Sequence, residues 1–269
     1  MILEPRILIL GALFLVLAAS CAPKAPTERP GEMTAGEAAS KAALLNSSVK
    51  SVKGLARVSI SAPGEKISYT QVTVASEPDR IRLEALNPFG STVGFISSDG
   101  GKIYIISSSA RETYDGGEEF NLADIYPGLD LTVTAESLTN LVLGRLPYNV
   151  FSSGRTPGMS TDGRLLKLTY PGSPGGGEDA VWLDPSTFKA RKAEFSLEGG
   201  RKAKVSYEYF DGLIAGHYFA RRIEFESKGL SITIVYEDGV EVNVPVDSSL
   251  FRPAASAGAI ENVRAQNYN

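Results

Sequence analysis

The chain is poor in the residues that carry metal and redox chemistry. It has one cysteine and one histidine in 269 residues. A single cysteine excludes an internal disulfide and any cysteine-based zinc site, and a single histidine excludes a multi-histidine metal centre. Charge of neither sign dominates: 27 Lys and Arg stand against 31 Asp and Glu, a net charge of -4. Phosphate neutralisation wants a cationic surface, so a general nucleic-acid binder is excluded. The apolar run ILILGALFLVL at residues 7–17 falls short of the roughly 20 residues a membrane-spanning helix needs. What the chain does have is apolar matter, 43% of its residues, enough for a sizeable core and too much for wholesale disorder.

The short run follows Arg6 and leads into Ala18, Ala19, Ser20 and Cys21. Its length fits the core of an export signal with a small-residue cleavage region behind it. The only cysteine in the chain falls at that junction, and the arrangement resembles the bacterial lipoprotein box. The resemblance implies a signal peptide over residues 1–20, cleavage before Cys21, and acylation of that residue. The alternative is a plain secretory signal with an incidental cysteine. Two or three acyl chains, at about 0.8 kcal/mol per buried CH2, anchor firmly where one does not. By lipoprotein sorting rules, Ala22 after the cysteine implies delivery to the outer membrane, on its periplasmic face. Residues 21–33 then form a tether with three prolines after the cysteine, APKAPTERPGE. Residues 252–269 read as a loose tail.

Between tether and tail the period of the apolar residues sets the architecture. Thr34 and Glu37 have capping-box spacing, and Ala38, Ala42, Leu45, Val49 and Val52 follow at helical steps, closed by Gly54. From Ala56 the period becomes two. Val58 and Ile60, then Ile67 and Tyr69, then Val72 and Val74 alternate, the last pair out of phase, which predicts a bulge. Ile81 and Leu83, Val93 and Phe95, and residues 102–106 continue the series, with turns at PGE, EPDR and SDGG. Thr134 caps a short helix bearing Leu138, Leu141 and Val142, ended by Gly144, and a weaker helical turn is expected at residues 122–126. Strands then resume through Leu166 and Leu168, Val181 and Leu183, Phe195 and Leu197, Val205 and Tyr207, Ile223 and Phe225, Ile232 and Ile234, and Val240 to Val244. The fold class expected is mainly β: one continuous antiparallel sheet over residues 34–251, curled because so long a sheet must protect its edges, and covered by the helical insert.

Certain segments resemble a known family. DRIRLEALNPFGSTVGFI at residues 79–96 is similar to the strand, loop and strand of the outer-membrane lipoprotein receptors of the LolB family. LDLTVTAESLTNLVLGRLP at 129–147 resembles that family's second-helix region, and GLARVSISAPGEKISYT at 54–70 its opening hairpin. GRLLKLTY at 163–170 and RIEFESKGLSITIVYED at 222–238 fall where its later strands fall. The wider relatives include the periplasmic LolA-like carriers. The resemblance implies an unclosed antiparallel half-barrel with a helical lid over an apolar cavity, no cofactor and no enzymatic activity. It implies acylated lipoproteins or their lipid moiety, a periplasmic lipoprotein carrier and the inner leaflet of the outer membrane as partners of a monomer. Three acyl chains carry about 45 CH2 groups, so shielding them from water is worth on the order of 30 kcal/mol.

Asn87, Pro88, Phe89 and Gly90 form a turn by composition, where polar side chains are the norm. A phenylalanine left in water there forgoes about 1.5 to 3 kcal/mol. The resemblance implies that Phe89 protrudes and touches the membrane during insertion, with its three neighbours holding it out; folding back as a plug under the turn is the alternative. The inward set expected from alternation is Val58, Ile60, Ile81, Leu83, Val93, Phe95, Val205, Tyr207, Ile223, Phe225 and Ile232, lining either a cavity or a packed core, with Leu138, Leu141 and Val142 as the lid face. His217 reads as a surface residue, since it lacks a nucleophile and an orienting acid. Glu118, Glu119, Asp124 and Asp130 lack the alternate spacing of a calcium loop, and Trp182 reads as packing or a rim anchor rather than a sugar platform. Two other functions stay open: an envelope lipoprotein of the same fold serving another lipid or a structural assembly, and an envelope hydrolase.

Overall fold

The computed structural model describes residues 33–107, 111–115, 117, 119–122, 131–148, 150–151, 154–172, 177–197 and 200–253. Residues 1–33 and 34–269 are separate units, and every described helix and strand belongs to the second, which is therefore folded by contacts within itself. Cys21 and its tether, the tail from residue 254, and Glu118, Asp124 and Asp130 lie outside the described residues.

Helix α1 (Ala35–Asn46) opens with the capping box: the Glu37 amide donates to Thr34 Oγ1 and the Thr34 amide to Glu37 Oε2. It stops at Asn46 with Ser47 as its C-cap, earlier than the spacing predicts. Val49 and Val52 are buried, but in the link and the first strand, because a step of three residues is also kept by chance across a helix-to-strand junction. Six strands follow: β1 (Ser51–Ala62), β2 (Glu65–Ser76), β3 (Arg80–Leu86), β4 (Thr92–Asp99), β5 (Lys102–Ser107) and β6 (Arg111–Asp115). A small hairpin, β7 (Glu119–Asn121) and β8 (Thr132–Thr134), leads into α2 (Ala135–Val142). The second run is β9 (Gly158–Asp162), β10 (Leu165–Tyr170), β11 (Asp179–Leu183), β12 (Ala190–Ser196), β13 (Lys202–Tyr209), β14 (Ala220–Ser227), β15 (Leu230–Tyr236) and β16 (Glu241–Val242).

All but the small hairpin join one antiparallel sheet, in the order β6-β5-β4-β3-β2-β1-β15-β14-β13-β12-β11-β10-β9, with β16 beside β1. The end strands β6 and β9 do not pair with each other, so the barrel is unclosed. The two runs meet where β1 pairs β15, with Val58 opposite Ile234 and Ile60 opposite Ile232. Cross-strand partners share a face, so the pairing assigns every side chain. Val58, Ile60, Thr73, Leu83, Ile96, Ile232 and Phe225 lie on one face, which α2 covers and which is called inner below.

The bulge expected in β2 is not there. Its pairing with β1 and β3 runs without a shift. Val74 is apolar and buried on the outer face because that face is also covered. The 3-10 segment Ser248–Phe251 straps across β3 and β4: Arg82 donates to the carbonyls of Leu250 and Arg252 (3.0 and 3.3 Å), Ser97 Oγ to that of Phe251 (2.6 Å), and Arg252 pairs Asp99 at 2.8 Å. Val74, Arg82 and Ser97 form one cross-strand row beneath it. One glycine is fixed by packing: a Cβ on Gly54 would meet Val240 Cγ2 at 3.0 Å.

Candidate functional site: an apolar cavity under α2

Helix α2 is capped by Thr134, whose hydroxyl accepts from the Ser137 amide while Ser137 Oγ accepts from the Thr134 amide. Leu138, Leu141 and Val142 recur at helical spacing and point into the inner face. Between them and the sheet lies a cavity of about 50 Å³. Val58, Ile60, Leu83, Ile96, Ile232 and Ile234 form its floor, and Leu122 joins α2 in its roof. Tyr69 and Gln71 bring the polar atoms; the Gln71 amide is satisfied by donating to Thr73 Oγ1 at 2.9 Å. About 50 Å³ holds one or two waters, whereas drug-sized ligands occupy about 300 Å³ or more, so this is a closed form. Toward its N-terminal end the roof helix is held by side-chain burial, with each of the three large side chains of α2 contributing about 1.5 to 3 kcal/mol.

The chain after α2 fills the other part of the inner face. It crosses the sheet and is tied at successive strands. The Tyr236 hydroxyl donates to the Val142 carbonyl (2.7 Å) and the Tyr207 hydroxyl to that of Arg145 (2.6 Å). Burial pushes both phenols far above their ordinary range, which keeps them as donors. Tyr148 then packs edge-on against Phe195 at 4.9 Å, and Phe151 against Tyr170 at 6.3 Å. Arg145, only 8% exposed, locks the crossing: its Nε donates to the Val49 carbonyl (2.8 Å) and its terminal nitrogen reaches Glu77 (2.7 Å) and the Ser47 carbonyl (3.4 Å). The Leu146 amide donates to Asn46 Oδ1 at the end of α1. So α2 is fixed firmly at its C-terminal end.

Of the inward set drawn from alternation, Val58, Ile60, Leu83 and Ile232 meet Leu138, Leu141 and Val142 at the cavity. Ile81, Val205, Tyr207, Ile223 and Phe225 share the inner face and are buried, but do not line it. Val93 and Phe95 need correction, because they face outward. Phe95 pairs Glu84, carries the Arg82 guanidinium 5.0 Å over its ring and lies beside the C-terminal strap; Val93 is 48% exposed. The inner positions of β4 are Gly94 and Ile96, opposite Ala85 and Leu83. Sequence reasoning missed Ile96, Tyr69, Gln71, Leu122 and Ile234. Ile96 was detectable only by register, since it directly follows another apolar residue.

The turn between β3 and β4 is built by Asn87. Its Oδ1 accepts from the Phe89 and Ser91 amides (2.9 and 3.0 Å), and its carbonyl from the Gly90 amide at 2.9 Å. Gly90 has φ of 79°, open to glycine and unfavourable to other residues. Pro88 fixes the approach, and Phe89 stands 93% exposed at the tip. Trp182 is buried, donates to Asp162 Oδ2 at 2.7 Å and is flanked by Lys192 and Lys167 at 3.8 and 4.9 Å. His217 sits in a tight turn, paired through its backbone with Ile214. Among the described residues no group of three or more His, Cys, Asp or Glu side chains could hold a metal ion, and no helix is long and apolar enough to cross a membrane.

An open antiparallel half-barrel, roofed by a short helix over an apolar cavity, defines the class of protein. Solved structures of other proteins share this fold. The LolA superfamily protein NE2245 from Nitrosomonas europaea superimposes with a TM-score of 0.53 at 19% identity, covering 82% of this chain and 98% of the other. A DUF1329 family protein from Desulfovibrio piger gives 0.53 at 13% identity, covering 81% and 95%. Similarity at this level shows the fold. No family model and no curated protein matches the sequence.

Proposed function

We propose that the chain is an envelope lipoprotein, anchored through Cys21 to the periplasmic face of the outer membrane, that takes the acyl chains of lipoproteins beneath α2 and helps insert them into that membrane. The observation that carries this reading is the apolar cavity between α2 and the sheet. Its floor and roof are aliphatic, and α2 rests on the sheet through the burial of Leu138, Leu141 and Val142, with the Tyr236 hydrogen bond holding its C-terminal end. Lifting α2 exposes a continuous apolar face for an acyl chain, and the cost of exposing three roof side chains is repaid by covering many more CH2 groups. Phe89, held out by the Asn87 turn, contacts the inner leaflet as the lipid leaves. Acylated lipoproteins and a periplasmic carrier are the partners, in the manner of the LolB family. The membrane is the final sink, and no cofactor takes part.

A second reading keeps the fold and changes the cargo to a single-chain lipid, or to none in a structural lipoprotein. The filled part of the inner face, where Val142, Arg145, Tyr148 and Phe151 are tied to β15, β13, β12 and β10, favours a smaller load. Native mass spectrometry of the chain from residue 22 onward, mixed with a triacylated lipopeptide and separately with palmitate, distinguishes the two. Capture of the lipopeptide, with transfer to liposomes lost in Phe89→Glu while capture persists, supports the receptor. Capture of palmitate alone supports the second reading, and capture of neither refutes acyl binding.

A further inference from the structure

Antiparallel pairing places the β1–β2, β3–β4, β12–β13 and β14–β15 turns at one end of the sheet. Phe89 projects from that end. On the outer face at the same end runs an open groove of about 570 Å³; its near edge, Ser61 on β1, is two strand positions from β3, or about 10 Å at the usual spacing of about 4.8 Å, and it continues across β15, β14 and β13 to β12. Ser61, Lys202, Lys204, Glu226, Lys228 and Ser231 line it, and Lys66 adjoins it as the cross-strand partner of Ser61.

Its charges are unevenly matched. Both acids of the groove are already paired, Glu226 with Lys204 at 3.2 Å and Glu194 with Lys192 at 3.3 Å. Lys66, Lys202 and Lys228 are exposed, and among the described residues none has an acid within ion-pair distance. The serine hydroxyls add hydrogen-bond donors between the ammonium groups. Among the described residues, a protein of net charge -4 thus gathers unpaired lysines at the end that carries the 93% exposed Phe89.

We propose that this groove binds the headgroups of anionic phospholipids. The inference rests on the reading that Phe89 meets the membrane, and adds which lipid it meets and how the domain is turned toward it. Phosphate oxygens accept from the three lysines and the two serines, while Phe89 enters the acyl boundary alongside. Attraction acts over about 10 Å at 0.1 M salt, so the groove orients the domain before the aromatic ring makes contact.

The test is vesicle flotation of the chain from residue 22 onward, without its acyl anchor, using phosphatidylcholine vesicles with and without phosphatidylglycerol. Each cation near an anionic surface changes partition about fivefold, and Glu65 beside Lys66 offsets part of that. The combined variant Lys66→Gln, Lys202→Gln, Lys228→Gln is expected to lose at least about tenfold in binding to phosphatidylglycerol vesicles and nothing on phosphatidylcholine alone. Phe89→Ser is expected to weaken binding to both. Equal binding of the wild type to both vesicle types, or an unchanged lysine variant, overturns the proposal. Displacement by inorganic phosphate beyond that by chloride at the same ionic strength also overturns it, since it marks a small-anion site. Lipopeptide capture by the same proteins without vesicles is a separate readout. Its loss counts against acyl binding and leaves the charge dependence to be judged alone.

Discussion

Replacing Arg145 with methionine removes the lock on the segment that follows α2 while keeping an apolar stem in its place. Three hydrogen bonds go, to the Val49 carbonyl, the Ser47 carbonyl and the Glu77 carboxylate. A hydrogen bond to a charged group is worth about 1.5 to 3 kcal/mol. The Glu77 side chain is one-third exposed, so its share is screened toward the low end. The 3.4 Å contact to Ser47 adds little. The expected cost is about 3 kcal/mol, which for a domain of this size lowers the melting temperature by about 6 to 12 °C. Thermal melts at neutral pH read it directly. A pH series then isolates the ion pair. Burial pushes the Glu77 carboxyl up, but hydrogen bonds from Lys50 and Arg145 outweigh it, and its pKa falls below the ordinary value of 4.5. A depressed carboxylate contributes stability above its unfolded pKa and loses it as pH falls through the folded one. The gap between wild type and variant should therefore be full above about pH 4.5 and narrow below it. A melting shift under about 2 °C, or a gap that does not change with pH, refutes the reasoning.

Gly54→Ala should cost about 1 to 3 kcal/mol, because the new Cβ meets the backbone and side chain of buried Val240, just ahead of β16; urea unfolding that matches wild type contradicts this packing. Phe251→Ala should cost about 3 to 5 kcal/mol in the same assay by emptying the strap over β3 and β4, and a neutral result means that the strap is dispensable. Phe89→Ser should leave stability within about 0.5 kcal/mol, since the side chain is 93% exposed; a large loss places the ring in the core.

The strand pattern was legible where one face of the sheet meets solvent. In β13, and in β15 apart from Val235, alternation alone identifies the inner residues, because their outer neighbours are polar. It failed in β4, where Phe95 and Ile96 are both buried on opposite faces. The residues that cover the outer side, 248–251, lie far along the chain, and no local period announces them. The same distant strap made Val72 and Val74 mimic a bulge. Four of the six floor residues of the cavity were visible, Val58, Ile60, Leu83 and Ile232. The crossing segment was hidden for a different reason: it is buried without being helix or strand. Its tie points, the Tyr207 and Tyr236 hydroxyls and the Arg145 guanidinium, are polar groups whose pairing depends on tertiary contacts. The Asn87 turn was readable because its chemistry is local.

The central claim is that acyl chains enter between α2 and the inner face of β1–β4 and β15. A palmitoyl chain carrying a photoactivatable diazirine near its end, bound to the chain from residue 22 onward and mapped by peptide mass spectrometry after irradiation, tests it most directly. The account predicts labels on Val58, Ile60, Leu83 or Ile96 in the floor and on Leu138 or Leu141 in the roof. Labels confined to the outer face or to the groove beside Lys202, or a protein that retains no chain at all, contradict it.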